Sequence, residues 1–429
     1  MTSYSWESKK LSELADICLG KMLDQKKNKG SYLPYLANIN VRWGTFDLDD
    51  LREMKFEAKE FKRYSLNYND IVMCEGGEPG RCAIWQEQVS SMMFQKALHR
   101  IRAKEGVDSK FLFYTLFNKG LNGLFEEYFT GSAIKHLTGV SLSNVEVKIP
   151  PLLIQKKISA VLSAYDDLIE NNLSRIKLLE EMAQITYEEW FVRMQFPGHE
   201  TVKTDPETDL PEGWINGCIT DICHVNKDSI TSKNAPDVIR YLDIASVETG
   251  SYLEPEKMCF TDAPSRARRK LRYGDTIFST VRPNRKTYSL ILDKESDLVA
   301  STGFAALRPL NNESFSFVYL SVANQDFVDA AVAVAGGAAY PAVKQSDFEK
   351  INITVPSNEL IKKFCEIYNQ PFELIALLTA QNKLLTEARD ILLPRLMTGM
   401  IDIEKVELPE ALLARIQVND TLEEQAFTG

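Results

Sequence analysis

The sequence predicts an α+β fold made twice: two tandem α+β domains, each followed by a long helix, with the two helices pairing as a coiled coil. Three observations carry this prediction. The 429-residue chain repeats its own pattern about 206 positions on, so that Gly131, Leu137, Leu142, Ile149 and Pro150 return as Gly337, Val343, Phe348, Val355 and Pro356. A strand–proline–helix junction occurs in each copy, as "VEVKIPPLLIQKKI" (145–158) and "INITVPSNELIKKF" (351–364). After each junction, apolar residues recur in steps of three and four. A period this long excludes a solenoid and means two domains.

The first globular unit spans 1–150. It opens on Trp6 followed by Leu11, as the second opens on Trp214 followed by Ile219. "YNDIVM" (68–73) has its counterpart in "YGDTIF" (273–278), and both alternate as half-buried strands do. "GGEPG" (76–80) and "RPN" (282–284) are turn signals. Residues 109–129 have apolar spacing of a helix. Alternation at Val145, Val147 and Ile149 then gives a last strand that Pro150 ends.

The first spacer, 151–204, holds a heptad seam at Leu162, Tyr165, Ile169, Asn172, Ile176, Leu179 and Ala183. The forty or so residues from Leu152 to Val192 would make a rod of roughly 60 Å at about 1.5 Å per residue. The second globular unit covers 205–356. The second spacer, 357–402, repeats the seam at Tyr368, Pro371, Ile375, Leu378, Asn382 and Leu385. A buried asparagine fixes register at a cost in stability. The alternative is that each amphipathic helix packs only on its own domain. Pro371 blurs the start of the second helix and places it near that proline rather than at Leu360, because an interior proline kinks a helix. The acidic tail, 403–429, is expected to be mobile.

Composition excludes several functions. No stretch is long and apolar enough to cross a membrane, and no signal-peptide pattern opens the chain. Seven scattered cysteines fit a reducing, cytoplasmic setting, and neither Cys74/Cys82 nor Cys218/Cys223 has zinc spacing. No phosphate-binding loop, nucleophile elbow or His-Glu-x-x-His helix is present. The reading is therefore of a non-enzyme.

Charge is uneven. The net charge is −10, yet residues 1–150 carry 21 Lys and Arg against 19 Asp and Glu. Between Asp262 and Leu290, eight basic residues face two acidic ones: Arg266, Arg268, Arg269, Lys270, Arg272, Arg282, Arg285 and Lys286. Arginine forks onto guanine edges and lysine serves phosphate, so this cluster is a candidate DNA contact; a solvated basic face is the alternative. In the first unit the matching region holds Lys59, Lys62, Arg63 and Arg81, and Arg42 stands beside Trp43, itself a core candidate. Two loops in register, 130–139 and 335–344, add Lys135, His136, Tyr340 and Lys344.

These stretches resemble the specificity (S) subunits of type I restriction–modification enzymes. The resemblance rests on "WESKKL", the two strands and two junctions above, "EEWFVRMQFPGHE" (188–200) and "LLPRLMTGMID" (392–402). It implies that the globular units are target recognition domains, each reading half of a bipartite, asymmetric site in double-stranded DNA, with the two helices forming an antiparallel coiled coil that sets the gap. It implies two methyltransferase (modification) subunits and restriction/translocase subunits as partners, no membrane, and a bacterial or archaeal cell. It implies no cofactor in this chain, with S-adenosylmethionine, ATP and Mg on the partners. Trp190, Phe191, Arg395, Leu396 and Met397, at the helix ends, are the expected subunit contacts; the alternative is that they pack on their own recognition domains. A coiled-coil scaffold without direct DNA contact is the rival reading.

Overall fold

The structure, a computed structural model, describes residues 6–24, 28–132, 134–231, 234–337 and 341–416. It divides into two compact units, Met1–Glu170 with Asn382–Gly429, and Asn171–Gln381. Both divisions fall inside the long helices, so each unit takes part of both.

The first unit is closed by the two motifs that mark its ends in sequence. Strand Glu7–Lys10 pairs antiparallel with Glu146–Ile149, Glu7 opposite Ile149. A four-stranded antiparallel sheet follows in the order Ala15–Leu19, Leu98–Ala103, Ile71–Cys74, Cys82–Ile84. Ile71–Cys74, expected from its alternation to be half-buried, is buried throughout. A second sheet contains Arg52–Phe56, Ser31–Leu36 and Met93–Phe94. Helix Ser109–Leu121 is capped by Asp108, whose side chain accepts from the Phe111 amide, and buries Phe111 to Phe117 on the first sheet.

The second unit repeats this plan. Ile215–Cys218 pairs with Asn352–Val355. The sheet order is Cys223–Val225, Phe304–Pro309, Thr276–Ser279, Tyr288–Leu290, strand for strand the order of the first unit. Its second sheet has Glu256–Cys259, Val238–Leu242, Leu298–Ser301 and one strand more, Ala267–Lys270. The corresponding segment of the first unit is the helix Ala58–Tyr64.

The first long helix runs Leu152–Tyr187 and continues as a wider π turn, Glu188–Val192, in which the Arg193 amide reaches the Glu188 carbonyl at 2.8 Å. The second is unbroken over Asn358–Met397. The expectation that it starts near Pro371 is therefore wrong. Pro371 removes its own bond to the Ile367 carbonyl, but buried neighbours Tyr368, Phe372 and Leu378 hold the helix through it.

The helices pair antiparallel within each unit. In the first, Arg389 meets Asp166 at 2.6 Å and the Asn382 amide approaches the Ile169 carbonyl at 3.5 Å. In the second, Asn172 donates to Gln381 at 3.1 Å, and Thr186 bonds Tyr368. Partner numbers fall as helix numbers rise. Of the expected seam, Leu162, Asn172, Ala183, Tyr368 and Leu378 are buried and the rest half-buried. The residues just outside it, such as Leu168 and Leu384, are exposed.

The tail differs from its expectation. Ile403, Leu408 and Ile416 are buried in the first unit's core, and Arg415 pairs with Asp167 at 2.7 Å. Apolar residues four or five apart seat this segment; residues 417–429 lie outside the described part.

Candidate nucleic-acid interface

Backbone hydrogen bonds bring the second unit's basic loops together. The Thr302 amide donates to the Arg266 carbonyl (2.8 Å) and the Thr280 amide to the Gly303 carbonyl (2.8 Å). The Arg282 amide donates to the Pro341 carbonyl (2.9 Å), and the Val343 amide returns to Thr280 (2.9 Å). Segments far apart in sequence thus form one rim. Arg282 and Lys286 flank its tip in left-handed backbone, at φ of 51° and 53°, a conformation rare for residues with a Cβ.

The cluster divides by partner. Arg272 pairs with Asp228 at 2.8 Å. Arg268 lies over the Phe260 ring at 5.1 Å. Arg269 is half-buried against the Phe304 carbonyl, at 3.3 Å, and burial lowers its pKa. Arg266, Arg285 and Lys344 are exposed, Lys270 and Lys286 half-exposed, with no carboxylate in ion-pair reach among the described residues. Tyr340 lies outside the described residues.

The first unit builds the same rim. The Leu137 amide donates to the Glu75 carbonyl at 2.8 Å, as Val343 does to Thr280. "GGEPG" is the turn between paired strands, with Met73 opposite Cys82. Gly131 and Gly337 take φ of 91° and 100° at matching places, and a Cβ on Gly131 would stand 2.4 Å from the Ile134 carbonyl oxygen. Here the cations are mostly neutralised. Arg42 pairs with Asp47 (3.0 Å), Lys59 with Glu57 (3.1 Å) and Lys135 with Glu126 (3.7 Å). Arg81 is held by Glu78 (2.7 Å) and the Asn38 carbonyl (2.9 Å). Lys62 and Arg63 end the short helix in solvent, and exposed His136 stands against Gly76. Trp43 packs edge-on to Phe117 and donates to Glu78 at 2.7 Å.

The expected subunit contacts are largely turned inward. Phe191, 5% exposed, sits among Phe317, Phe364 and Trp214. Trp190 packs on Phe364. Leu396 and Met397 are buried in the first unit's core, which Trp6 flanks. Only Arg395 is exposed. Phe191 thereby fastens the end of the first long helix to Trp214, the tryptophan that opens the second domain.

Sequence reasoning missed the ion pairs beneath the rims. Arg102 forks onto Asp70 with two bonds of 2.7 Å. Arg308 forks onto Asp275 with two of 2.8 Å and reaches Asp228 at 2.6 Å. The carboxylates hold both arginines charged and raise their pKa. The acids are those of "YND" and "YGD". The missed signal was an arginine 206 residues from another, at the same strand position.

The fold and this doubled rim define a tandem recognition protein: two domains of one plan, differently charged, joined by paired helices. A profile of the type I restriction modification DNA specificity domain matches residues 4–181 and 211–387. The chain belongs to that family of type I restriction–modification specificity subunits. It is 24% identical over 433 residues to the MjaIX specificity subunit of Methanocaldococcus jannaschii, covering 94% of each chain. It is 24% identical over 327 residues to the HindI specificity subunit of Haemophilus influenzae, 62% of this chain and 71% of that one. The crystal structure of the S subunit from M. genitalium has the same fold, with a TM-score of 0.58 at 17% identity, covering 92% of this chain and 97% of that one.

Proposed function

We propose that this chain is the DNA-reading subunit of a type I restriction–modification complex. Each globular unit reads one half of a bipartite, asymmetric duplex target, and the paired helices set the spacing. The chain performs no chemistry. Two methyltransferase subunits and the restriction/translocase subunits assemble on it and carry S-adenosylmethionine, ATP and Mg. The observation that carries this reading is the rim built twice from the same backbone bonds, Leu137 to Glu75 and Val343 to Thr280, with different side chains on it. A shared frame with different side chains suits two different half-sites.

The test uses the assembled methyltransferase complex. Replacing Arg266, Arg285 and Lys344 by alanine is expected to weaken binding to the cognate duplex and to reduce the salt dependence by about one unit of slope per lost phosphate contact. Assembly stays intact. Unchanged affinity at matched salt, or an unmodified complex that binds no DNA, would favour the scaffold reading.

A further inference from the structure

The two units differ at one place where their frames coincide. In the first, Trp43 packs edge-on to Phe117 with centroids 5.7 Å apart, and the Arg389 guanidinium lies 5.5 Å from the same ring. An indole, a phenyl and a guanidinium fill that space. At the repeat offset, Thr249 stands for Trp43, Ala323 for Phe117 and Ala183 for Arg389. The loop frame is the same, since the bridge Val41–Phe46 recurs as Val247–Tyr252, and Gly44 and Gly250 share φ near 80° (78° and 81°).

The second unit therefore has a cavity of about 330 Å³, lined by Thr249, Ala323, Glu180, Tyr288, Tyr319 and Phe372 among others. That volume lies at the lower end of small-ligand sites, about 300–1,000 Å³. Its lining is aromatic and acidic. Tyr319 is 8% exposed and its hydroxyl has no hydrogen-bond partner among the described residues; its ring meets Tyr288 at 6.0 Å and Phe372 at 5.3 Å. Glu180 has no ion-pair partner among the described residues either. It stays exposed on one side, yet the wall withdraws its carboxyl from water enough to raise its pKa. Burial first, then the neighbouring Tyr288 and Glu180, pushes the Tyr319 hydroxyl up.

We propose that this cavity binds an alkylguanidinium or alkylammonium cation, supplying in trans the group that Arg389 supplies in the first unit. The cation sits between the rings of Tyr288, Tyr319 and Phe372, where a desolvated aromatic wall attracts positive charge. The Glu180 carboxylate takes its charge, and the Tyr319 hydroxyl offers it an oxygen. Two sources share this chemistry: a free organic cation, and an arginine or lysine side chain of a partner protein.

The experiment titrates ethylguanidinium, n-butylammonium and the neutral isostere ethylurea into the whole chain, read by calorimetry and ligand-observed NMR. Both cations are expected to bind and ethylurea is not. Glu180→Gln is expected to weaken binding at least tenfold, and Ala323→Phe, which restores the ring of the first unit, to abolish it. Tyr319→Phe checks the hydroxyl without changing the cavity's shape, with a severalfold loss expected. No cation binding, or ethylurea binding as well as ethylguanidinium, overturns the proposal. Competition assigns the source. If saturating ethylguanidinium weakens assembly with the methyltransferase subunits in the wild type but not in Ala323→Phe, the cation is a partner side chain; unchanged assembly makes it a free one.

Discussion

At the scale of residues, the acids of the repeated strand motif have work that alternation alone does not reveal. Asp275 is fully buried and Arg308 forks onto it. Removing one member leaves the other's charge or donors stranded, which costs about 3–5 kcal/mol for a buried pair. Asp275→Asn is expected to lower the unfolding free energy of the second unit by an amount in that range, read as a lower urea midpoint. Asp70→Asn should cost less, because its partner Arg102 keeps 35% of its side chain in solvent. His99 gives a pH signature. It is fully buried, its Nε2 faces the Leu137 carbonyl at 2.9 Å, and Nδ1 has no hydrogen-bond partner among the described residues. Burial lowers its pKa, against the opposing pull of the Leu137 carbonyl and Glu75. The unfolded chain takes up this proton below about pH 6.5 while the folded chain does not. Stability is therefore full above that pH and falls as pH drops toward the depressed folded value. Hydrogen exchange of amides 98–103 between pH 7 and 5 should show protection falling in the wild type and a flatter profile in His99→Gln. The repeat of Arg102 as Arg308 marked these positions in the sequence, but not their pairing, because a buried pair looks like two ordinary charges until the strands are placed side by side.

At the scale of elements, periodicity told most. The closing strands and the first long helix lie where spacing put them, because each rests on a repeated apolar pattern, and "GGEPG" is the turn its residues signalled. The start of the second helix was misplaced because proline was weighed as a local breaker. Packing around Tyr368 and Phe372 overrides it, since most helix stability in a protein comes from tertiary contacts. The strain remains. Pro371→Ala is expected to stabilise the second unit by up to about 3 kcal/mol, the helix-interior difference between proline and alanine, less the packing lost from a half-buried ring. A shift to higher midpoint in urea checks it, and a drop would mean the ring's contacts in the seam matter more than the missing bond. The tail was misjudged for the reverse reason: net acidity concealed the apolar spacing of Ile403, Leu408 and Ile416. The helix Ala58–Tyr64 and strand Ala267–Lys270 occupy one place in the plan. That divergence moves the basic side chains, which is why charge runs named the region but not which cations stay unpaired.

At the scale of the whole molecule, duplication supplies both frame and difference. The first sheets agree strand for strand, and the rims are tied by equivalent bonds, yet the first rim pairs most of its cations with carboxylates and the second leaves Arg266, Arg285 and Lys344 without a carboxylate partner among the described residues. The reading of two half-sites predicts unequal electrostatics: raising salt should release the second domain's half-site first, seen as earlier loss of footprint protection there. The joining helices carry the last expectation. Their seam is regular from Leu162 to Ala183 and its partners run antiparallel, so a whole heptad can be removed from each without moving the apolar face. Deleting seven residues from both, at matched levels, shortens the pair by about 10 Å at about 1.5 Å per residue, or roughly three base pairs at about 3.4 Å each. Mapping of methylated sites should then show the same two half-sites separated by about three fewer base pairs. Retention of the original spacing would mean that the gap is set by something other than helix length, and deletion from one helix alone should abolish assembly, because it slips the register that Asn172 and Gln381 fix.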